Sequence, residues 1–571
     1  MTNKPTVAEA IVACLVRHGV TTLFSQSLPS AILLAAEDAG IRQYAYRQEN
    51  AGAIMADAYA RVSNRAAVVT AQNGPAATLL VPGLAEALKA SVPVVALVQD
   101  VNRAHAERNA FQELDHLKLF QACTKWVARV TEPGRAVDMI DLAFAQANSG
   151  RPGPVALMLP ADLLIEPLDP VPSPRGADLG RFPLDPTGPD PARLAEAADL
   201  LASARKPLIV AGGGVHLSGA AQAMATLQET AQIPVMTTVM GKGAVDERHP
   251  LSMGIGGYAL GRLAPARHLR PLIEEADVIL LVGTRTNQNG TDGWTLYPSG
   301  ARYIHIDVDG AEIGRNYESR RLAGDARLVL TALADALKGR RGPNPEAIAA
   351  IARGRDLHTA DIAAVIDPAR PGPARPERLM ADLQTLLTPD TIVAADASYS
   401  SLWVACYLQA LAPGMRFLTP RGLAGLGWGL PLAMGAKLAR PEAPVFCVVG
   451  DGGFAHVWSE METARRNGTK IVVTVLNNGV LGYQKDAEDV KFNRHTTACY
   501  FAEVDHAAIA RATGCHGIRV EQPDDYMPAL RAALDHEGTT VIDVLTDPSA
   551  YPPVTFFDPL NDIRRQKASA P

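Results

Sequence analysis

The sequence predicts an α/β protein of three doubly wound domains, each a parallel sheet with helices on both faces. Two proline-rich stretches, residues 166–191 and 367–377, divide the chain and are typical of surface linkers. Each of the three segments repeats one order, a short β-branched run, a glycine or polar turn and then a helical stretch. The β-branched runs are continuously apolar, which indicates parallel strands buried on both faces.

Eleven strands are predicted in chain order. They cover residues 66–70, 93–99, 154–159, 208–211, 235–238, 278–282, 303–308, 392–395, 445–449, 471–476 and 541–545. The chain begins with a helix that Thr6 and Glu9 cap, so its start is not predicted to be a signal peptide. Ligands are expected at the carboxyl ends of the strands, where sheets of this class bind them.

Composition and charge exclude several classes of protein. With 47% hydrophobic and 20% charged residues, the chain can bury full cores and is not disordered. The net charge of −6 argues against nucleic acid or an anionic membrane surface as a partner. No apolar run approaches the roughly 18 residues of a membrane span, so no membrane association is expected. Six dispersed cysteines without a Cys-x-x-Cys motif indicate reduced thiols, and we expect a cytoplasmic protein.

The most informative motif is Gly-Asp-Gly-Gly at residues 450–453. It follows a predicted strand and opens a helix predicted to end near residue 467, after which a second strand leads into an Asn pair at 477–478. Because the two strands belong to one strand–helix–strand unit, Asp451 and Asn478 are expected at one edge of the sheet. Their oxygens suit Mg²⁺, and the glycines before a helix suit a diphosphate. A tight turn that binds nothing is the structural alternative.

A Gly-Asp-Gly motif followed by an Asn pair at this spacing resembles the motif of thiamine-diphosphate enzymes. The chain resembles the acetolactate synthase (large subunit) and pyruvate oxidase-like family over nearly its whole length. That resemblance implies a Mg²⁺ site formed by Asp451, Asn478 and the backbone carbonyl of Val480. It also implies thiamine diphosphate as cofactor, in contact with Asn73, Gly74, Pro75, Gly425, Leu426, Gly450, Gly452, Gly453, Leu481 and Gly482.

Glu49 in the first segment matches a second family motif. It precedes a helix predicted over residues 50–61, and an acid at a helix N-terminus is stabilised by the helix dipole whatever its function. The stretch at 47–53 resembles the family's Arg-x-Glu-x-x-Ala sequence. The resemblance implies that Glu49 hydrogen-bonds the aminopyrimidine of the cofactor and promotes loss of the proton from the thiazolium carbon.

Two further stretches complete the set of candidate catalytic residues, Glu49, Gln112 and Leu426. Residues 110–115 match a family motif whose Gln borders the active site. Residues 423–431 match one in which a bulky side chain, here Leu426, holds the cofactor in a bent conformation.

The resemblance also assigns a role to each domain. These are a pyrimidine-binding domain at residues 1–165, a central domain of the FAD or ADP type at 190–340, a diphosphate- and Mg²⁺-binding domain at 375–550 and a tail at 551–571. The central domain holds FAD in the synthases, whereas other relatives keep it with ADP or empty, so FAD stays open here. The glycines at 212–214 follow a strand but lack the Gly-x-Gly-x-x-Gly spacing. Arg285 and Asp307 are the candidate contacts.

Departures from the synthases cluster on the substrate side. Residues 24–30, 396–401 and 481–492 all differ from the corresponding synthase stretches, and Gln48 replaces a His. No adjacent His pair of the simple decarboxylase type is present, which favours carboligation. The resemblance implies that a 2-oxo acid is decarboxylated and joined to a second carbonyl compound. It also implies a homodimer or homotetramer, because the family binds its cofactor between the first domain of one subunit and the third of its partner.

Three alternatives stay open from the sequence. The first is a thiamine-dependent lyase or decarboxylase of 2-hydroxyacyl-CoA or other acyl compounds. The second is a flavin or nicotinamide oxidoreductase that uses the central domain, and the third is a catalytically silent relative. Four histidines, His105, His116, His456 and His495, are candidates for proton transfer, although a lone His is more often structural.

Overall fold

A computed structural model describes residues 4–169 and 175–569 of the chain. It contains three six-stranded sheets in which all neighbouring strands pair in parallel. The predicted class of three doubly wound parallel-sheet domains is therefore confirmed. Residues 170–174 of the first predicted linker, and 570–571 of the predicted tail, lie outside the described residues.

The first sheet has the strand order β2-β1-β3-β4-β6-β5. Its strands are β1 (Thr22–Ser25), β2 (Arg42–Ala45), β3 (Ala67–Ala71), β4 (Val94–Asp100), β5 (Trp126–Arg129) and β6 (Val155–Pro160). Its helices are α1 (Val7–Arg17), α2 (Ser30–Asp38), α3 (Glu49–Ser63), α4 (Pro75–Ala90), α5 (His116–Gln121), α6 (Ala136–Asn148) and α7 (Ala161–Leu164). The predicted capping box is present, because the Thr6 side chain accepts from the Glu9 amide and the Glu9 carboxylate accepts from the Thr6 amide.

The second sheet has the strand order β12-β11-β10-β7-β8-β9. Its strands are β7 (Pro207–Ala211), β8 (Val235–Thr237), β9 (Ser252–Ile255), β10 (Val278–Val282), β11 (Arg302–Asp307) and β12 (Ser319–Ala323). The helices of this part of the chain are α8 (Pro191–Ser203), α9 (Gly214–Leu217), α10 (Ala221–Ala231), α11 (Arg270–Glu274), α12 (Ala326–Leu337) and α13 (Pro345–Ile366).

The third sheet has the strand order β14-β13-β15-β16-β18-β17. Its strands are β13 (Ile392–Ala395), β14 (Arg416–Leu418), β15 (Val445–Gly450), β16 (Val472–Asn477), β17 (His516–Val520) and β18 (Thr540–Leu545). The helices are α14 (Pro376–Gln384), α15 (Tyr399–Tyr407), α16 (Gly429–Ala439), α17 (Asp451–Phe454), α18 (Glu460–Arg466), α19 (Gly482–Phe492), α20 (His506–Ala512), α21 (Tyr526–Asp535) and α22 (Leu560–Ser569).

The described chain divides into two compact units. The first unit holds the first sheet and also the segments 420–442 and 457–469, which carry α16 and α18. Within this unit α16 packs against α3. The second unit holds the second and third sheets. Over residues 4–169 and 175–569, no helix is long and apolar enough to cross a membrane.

All eleven predicted strands are present, with ends shifted by no more than one residue. The structure adds seven strands, and six of them (β2, β5, β9, β12, β14 and β17) are the edges of the three sheets. An edge strand has one neighbour and exposes part of its surface, so it lacks the continuous apolar run that marks a central strand. The edge strand β12, for example, reads Ser-Arg-Arg-Leu-Ala.

Candidate functional site

Asp451 lies at the carboxyl edge of the third sheet, where β15 ends and α17 begins. Its side chain is buried, with the residue 7% exposed, and Oδ2 accepts a hydrogen bond from the Gly479 amide at 2.8 Å. Burial raises the pKa of Asp451 to about 6, against the opposing effect of backbone hydrogen bonds from Gly479 and Gly452. Asp451 therefore contacts the turn that immediately follows the Asn pair.

The two asparagines of the pair have different surroundings. Asn477 is buried at the end of β16, and its amide donates to Oδ1 of the buried Asp543 at 3.0 Å and to the Val504 carbonyl at 3.0 Å. Asn478 is half-buried beyond the strand, and its Oδ1 accepts from the Val480 amide at 3.1 Å. Asn477 thus joins the strand to the core, whereas Asn478 lies in the turn that contacts Asp451.

These residues fit a hard divalent cation. Asp451 offers a carboxylate, Asn478 a carboxamide oxygen and Val480 a backbone carbonyl, which are the oxygen ligands that Mg²⁺ takes from proteins. A cation beside Asp451 would stabilise the ionised carboxylate that burial disfavours. The donor set and the electrostatics therefore point to the same class of ligand.

The candidate cofactor contacts in the second unit surround the same strand ends. Gly450 ends β15, while Gly452 and Gly453 lie in α17. A Cβ on Gly452 would lie 2.7 Å from the Phe501 ring and 3.3 Å from Leu481, so a larger residue there would have to displace that ring. Leu481 precedes α19, whose first residue is Gly482. The turn after β15 and the start of α19 therefore lie side by side.

The prediction of a single helix that ends near residue 467 is wrong. The structure has the short helix α17, a 3₁₀ turn over Ala455–Val457 and then α18, which begins at Glu460. Glycines at positions 452 and 453 weaken the first helical turn by about 1 kcal/mol each relative to alanine. The break lets the chain leave the sheet edge one turn after Asp451 and begin a separate helix.

Glu49 is the first residue of α3 and is 7% exposed. Burial raises the pKa of its carboxyl group above the usual range. Gln48 caps the helix without a side-chain hydrogen bond. Instead, the buried carboxylate of Glu460 on α18 accepts from the amides of Arg47 at 3.1 Å and Gln48 at 3.0 Å. Sequence reasoning missed Glu460, because an acid within a helical stretch usually faces solvent. Only its burial distinguishes Glu460 from such surface acids.

The turn at residues 73–75 and the segment containing Gln112 are held together in the first unit. The Asn73 amide donates to the carbonyls of Phe111 at 3.2 Å and Gln112 at 3.1 Å. The Gln72 amide donates to Oε1 of Gln112 at 2.8 Å. Pro75 begins α4, where a missing N–H costs the helix nothing. The structure therefore brings Asn73, Gly74 and Gln112 together.

Gly425 and Leu426 lie in the loop before α16, in the same unit. Leu426 is 37% exposed, which leaves its side chain available for contact. The Gly422 and Leu423 amides of this loop donate to the carboxylate of the fully buried Glu86 at 2.7 and 2.6 Å. Glu86 is a second buried acid that no sequence motif indicated.

The four candidate histidines differ in accessibility. His105 and His456 are exposed. His495 is half-buried. Its Nδ1 lies 3.1 Å from Oδ1 of Asp489, and its Nε2 lies 2.8 Å from Oη of Tyr500. His116 is completely buried and contacts the Gly74 amide.

Two of the stretches that depart from the synthases meet in the second unit. The hydroxyl of Tyr399 donates to Oδ2 of Asp486 at 2.7 Å, and Arg564 of α22 donates to Oδ1 of Asp486 at 2.8 Å. Asp486 is fully buried, and the Tyr399 ring packs edge-on against Tyr483 and Phe557. Sequence reasoning missed this cluster because its members come from three distant segments.

The glycine-rich loop of the second sheet faces the chain's own backbone. A Cβ on Gly212 would collide with the carbonyl of Gly283, and one on Gly214 would lie 2.7 Å from the Gly283 Cα atom. Arg285 is half-buried, and Asp307 accepts from the Asp309 amide at 2.9 Å. Close packing of two loops is therefore sufficient to explain the glycines.

A second cluster of metal-ligand residue types lies in the first unit. Cys14, His18 and Asp141 are buried, with ligand atoms within 4.8 Å of one another. The guanidinium of Arg17 donates to Cys14 Sγ at 3.3 Å and also contacts Asp141, so a cation already lies against the cluster. His18 contacts Asp141 through Nε2 at 2.6 Å and accepts from the Leu179 amide at Nδ1. These contacts make it a polar network of the core.

Comparison with known proteins yields three family models and a set of similar proteins. The models are the N-terminal TPP binding domain (residues 5–119), the central domain (194–333) and the C-terminal TPP binding domain (396–544) of thiamine pyrophosphate enzymes. A protein of Arthrospira platensis named acetolactate synthase is 33% identical, over 97% of this chain and 96% of its own. The probable acetolactate synthase large subunit of Methanocaldococcus jannaschii is 32% identical, over 96% of this chain and 93% of its own length. The acetolactate synthase isozyme 2 large subunit of Escherichia coli K12 is 30% identical, over 95% of each chain.

The different surroundings of the two asparagines predict different effects on stability. Asn477→Ala removes a donor from the buried carboxylate of Asp543 and should lower the free energy of unfolding by about 1–3 kcal/mol. Asn478→Ala removes one half-buried contact and should cost about 0.5 kcal/mol. Urea unfolding of the metal-free protein measures both values, and equal losses would contradict the assignment.

Proposed function

Because the chain belongs to the thiamine pyrophosphate enzymes, the family of its acetolactate synthase relatives, we propose that it decarboxylates a 2-oxo acid and joins the remaining fragment to a second carbonyl compound. It is a thiamine-diphosphate-dependent enzyme. The observation that carries the proposal is the edge of the third sheet, where buried Asp451 contacts the turn after Asn478 in the family's metal motif. When bound, thiamine diphosphate supplies an electron sink for the bonding electrons released at the carbonyl carbon.

In this proposal Asp451, Asn478 and the carbonyl of Val480 bind Mg²⁺. The cation would hold the diphosphate beside the turn at 450–453 and the start of α19. A half-buried carboxamide and a buried carboxylate provide fixed oxygen ligands, because both turns are anchored in the sheet.

Glu49 is the proposed acid–base residue. Its buried carboxyl group has a raised pKa, so it can share a proton with a ring nitrogen at neutral pH more readily than an exposed carboxylate. The contacts of Glu460 to the two preceding amides fix the start of α3. They would therefore hold Glu49 at a constant position relative to the first sheet.

Gln112 and Leu426 are the other proposed contacts, with substrate and with the bent cofactor respectively. The candidate residues fall on both compact units, with Glu49, Gln112 and Leu426 in the first and the metal ligands in the second. The family arrangement combines the first domain of one subunit, here with Glu49 and Gln112, with the third domain of its partner, here with Leu426 and the metal ligands, so we propose a homodimer or homotetramer. FAD in the central domain stays a prediction from the resemblance, and no step proposed here uses it.

Product analysis tests the reaction directly. The purified enzyme, with Mg²⁺ and thiamine diphosphate, is incubated with pyruvate and a panel of aldehydes and 2-oxo acids. Carboligation predicts one CO₂ released for each hydroxyketone or acetohydroxy acid formed. Cleavage of 2-hydroxyacyl-CoA compounds without any ligated product would contradict the proposal and support the lyase alternative.

Replacing Asp451 tests the metal site. Asp451→Ala removes the charged oxygen ligand, and the affinity for thiamine diphosphate in the presence of Mg²⁺ should fall by at least about tenfold. Calorimetric titration of the cofactor measures this affinity. Asp505→Ala is a suitable control, because Asp505 caps α20 of the same domain and pairs with Arg511 on that helix, so its loss should leave binding unchanged. Unchanged affinity in Asp451→Ala would reject the site.

Replacing Glu49 tests the acid–base role. Glu49→Gln keeps the size of the side chain but cannot share the proton, so turnover should fall by about 10²–10⁴-fold. Exchange of deuterium at the thiazolium carbon of the bound cofactor measures the step itself. The matched control is Glu9→Gln, an acid in the first turn of α1 that should cost less than about 1 kcal/mol of stability. Exchange as fast in Glu49→Gln as in the parent would contradict the role.

A further inference from the structure

His116 begins α5 and has no exposed surface. Its Nε2 accepts a hydrogen bond from the Gly74 amide at 2.9 Å, so the ring proton belongs on Nδ1. Nδ1 lies 3.2 Å from Oδ1 of Asp100, at the end of β4, and Oδ2 of Asp100 accepts from Nε of Arg129 at 2.7 Å. A continuous chain of contacts therefore runs from the half-buried Arg129 through the buried Asp100 and His116 to the Gly74 backbone.

Gly74 in turn determines the position of Gln112. Gly74 has a φ of 64°, and an ideal Cβ there would lie 2.7 Å from Cβ of Gln112 and 2.9 Å from its carbonyl oxygen. Gln112 itself has a φ of 59°, which is uncommon for a residue with a side chain. The two residues before Gly74 also hold Gln112. The Asn73 amide donates to the carbonyl of Gln112, and the Gln72 amide donates to its Oε1 atom. A shift of the Gly74 amide would therefore disturb both the close packing of Gly74 on Gln112 and the hydrogen bonds from its two neighbours.

We propose that His116 is the positioning residue of Gln112, acting through the amide of Gly74. The inference rests on the proposed function, in which Gln112 borders the substrate. Both ring nitrogens of His116 are engaged inside the first unit, so the residue does not transfer protons to substrate. Asp100 fixes the tautomer in which Nε2 is the acceptor, and Arg129 fixes Asp100.

Three substitutions separate positioning from a general effect on folding. His116→Leu and His116→Asn remove the acceptor, the second because its carboxamide is too short to reach Gly74. His116→Gln retains an oxygen acceptor at about the distance of Nε2. His18→Leu is the matched control, because His18 is also completely buried, accepts from a backbone amide at 3.1 Å and contacts an Asp, but it contacts no candidate site residue.

Two measurements are made on each variant. The first is steady-state kinetics with the 2-oxo acid donor. His116→Leu and His116→Asn should lower kcat/KM by roughly 10–100-fold, mainly through KM, and His116→Gln should recover most of the loss. His18→Leu should lower the melting temperature without this change. The second is hydrogen–deuterium exchange in the cofactor-free protein, where segments 72–76 and 110–114 should exchange faster only when residue 116 lacks the acceptor.

The outcomes distinguish the two proposals. Unchanged exchange in both segments for His116→Leu and His116→Asn would overturn the positioning role, whatever the kinetics. The same kinetic loss in His18→Leu would also overturn it, since the effect would then follow from stability alone. Unchanged kinetics in Gln112→Ala would instead contradict the proposed contact of Gln112 with substrate, while the exchange result would still decide whether His116 positions Gln112. The proposed function itself is decided by the product analysis.

Discussion

The parallel pairing of β15 with β16 is the constraint on which the proposed metal site depends. The register sets Gly450 beside Leu476, so the residues that follow leave the sheet at the same edge. The Asp451 carboxylate therefore meets the Gly479 amide although the two residues belong to different turns. A slip of one residue would reverse the faces of the strand and separate them. The fixed register of the two strands therefore holds Asp451 beside the turn that follows Asn478.

Buried carboxylates fix loops of the first unit. Glu86 and Glu460 each accept two backbone amides from distant segments, as charge-assisted hydrogen bonds. Asp100 and Asp451 show what a nearby cation adds. Burial disfavours the ionised form of both carboxylates. The hydrogen bond from His116 and the charge of Arg129 nevertheless lower the pKa of Asp100, whereas burial raises the pKa of Asp451. A bound Mg²⁺ would do for Asp451 what Arg129 does for Asp100.

The sequence predicted the parts of the fold that depend on local pattern. The central strands other than β1 were found because burial on both faces demands a continuous apolar run, whereas edge strands such as β12 were missed because they are half exposed. The motif at 450–453 was placed correctly at a strand end, but the break after α17 was not predicted. Glu86 and Glu460 could not be found either, since their partners lie hundreds of residues away and no local pattern encodes such pairs.

The proposed cofactor residues and the proposed substrate side differ in how closely they follow the family motifs. Asp451, Asn478 and Glu49 match the family motifs. Tyr399 and Asp486 come from stretches that depart from the synthases, and they form a buried pair. A buried hydroxyl–carboxylate pair imposes a geometry that an apolar contact does not, because leaving either group unsatisfied is costly. Under the proposed assignment, retained cofactor motifs beside an altered substrate side would make the relatives a closer guide to the type of reaction than to the acceptor.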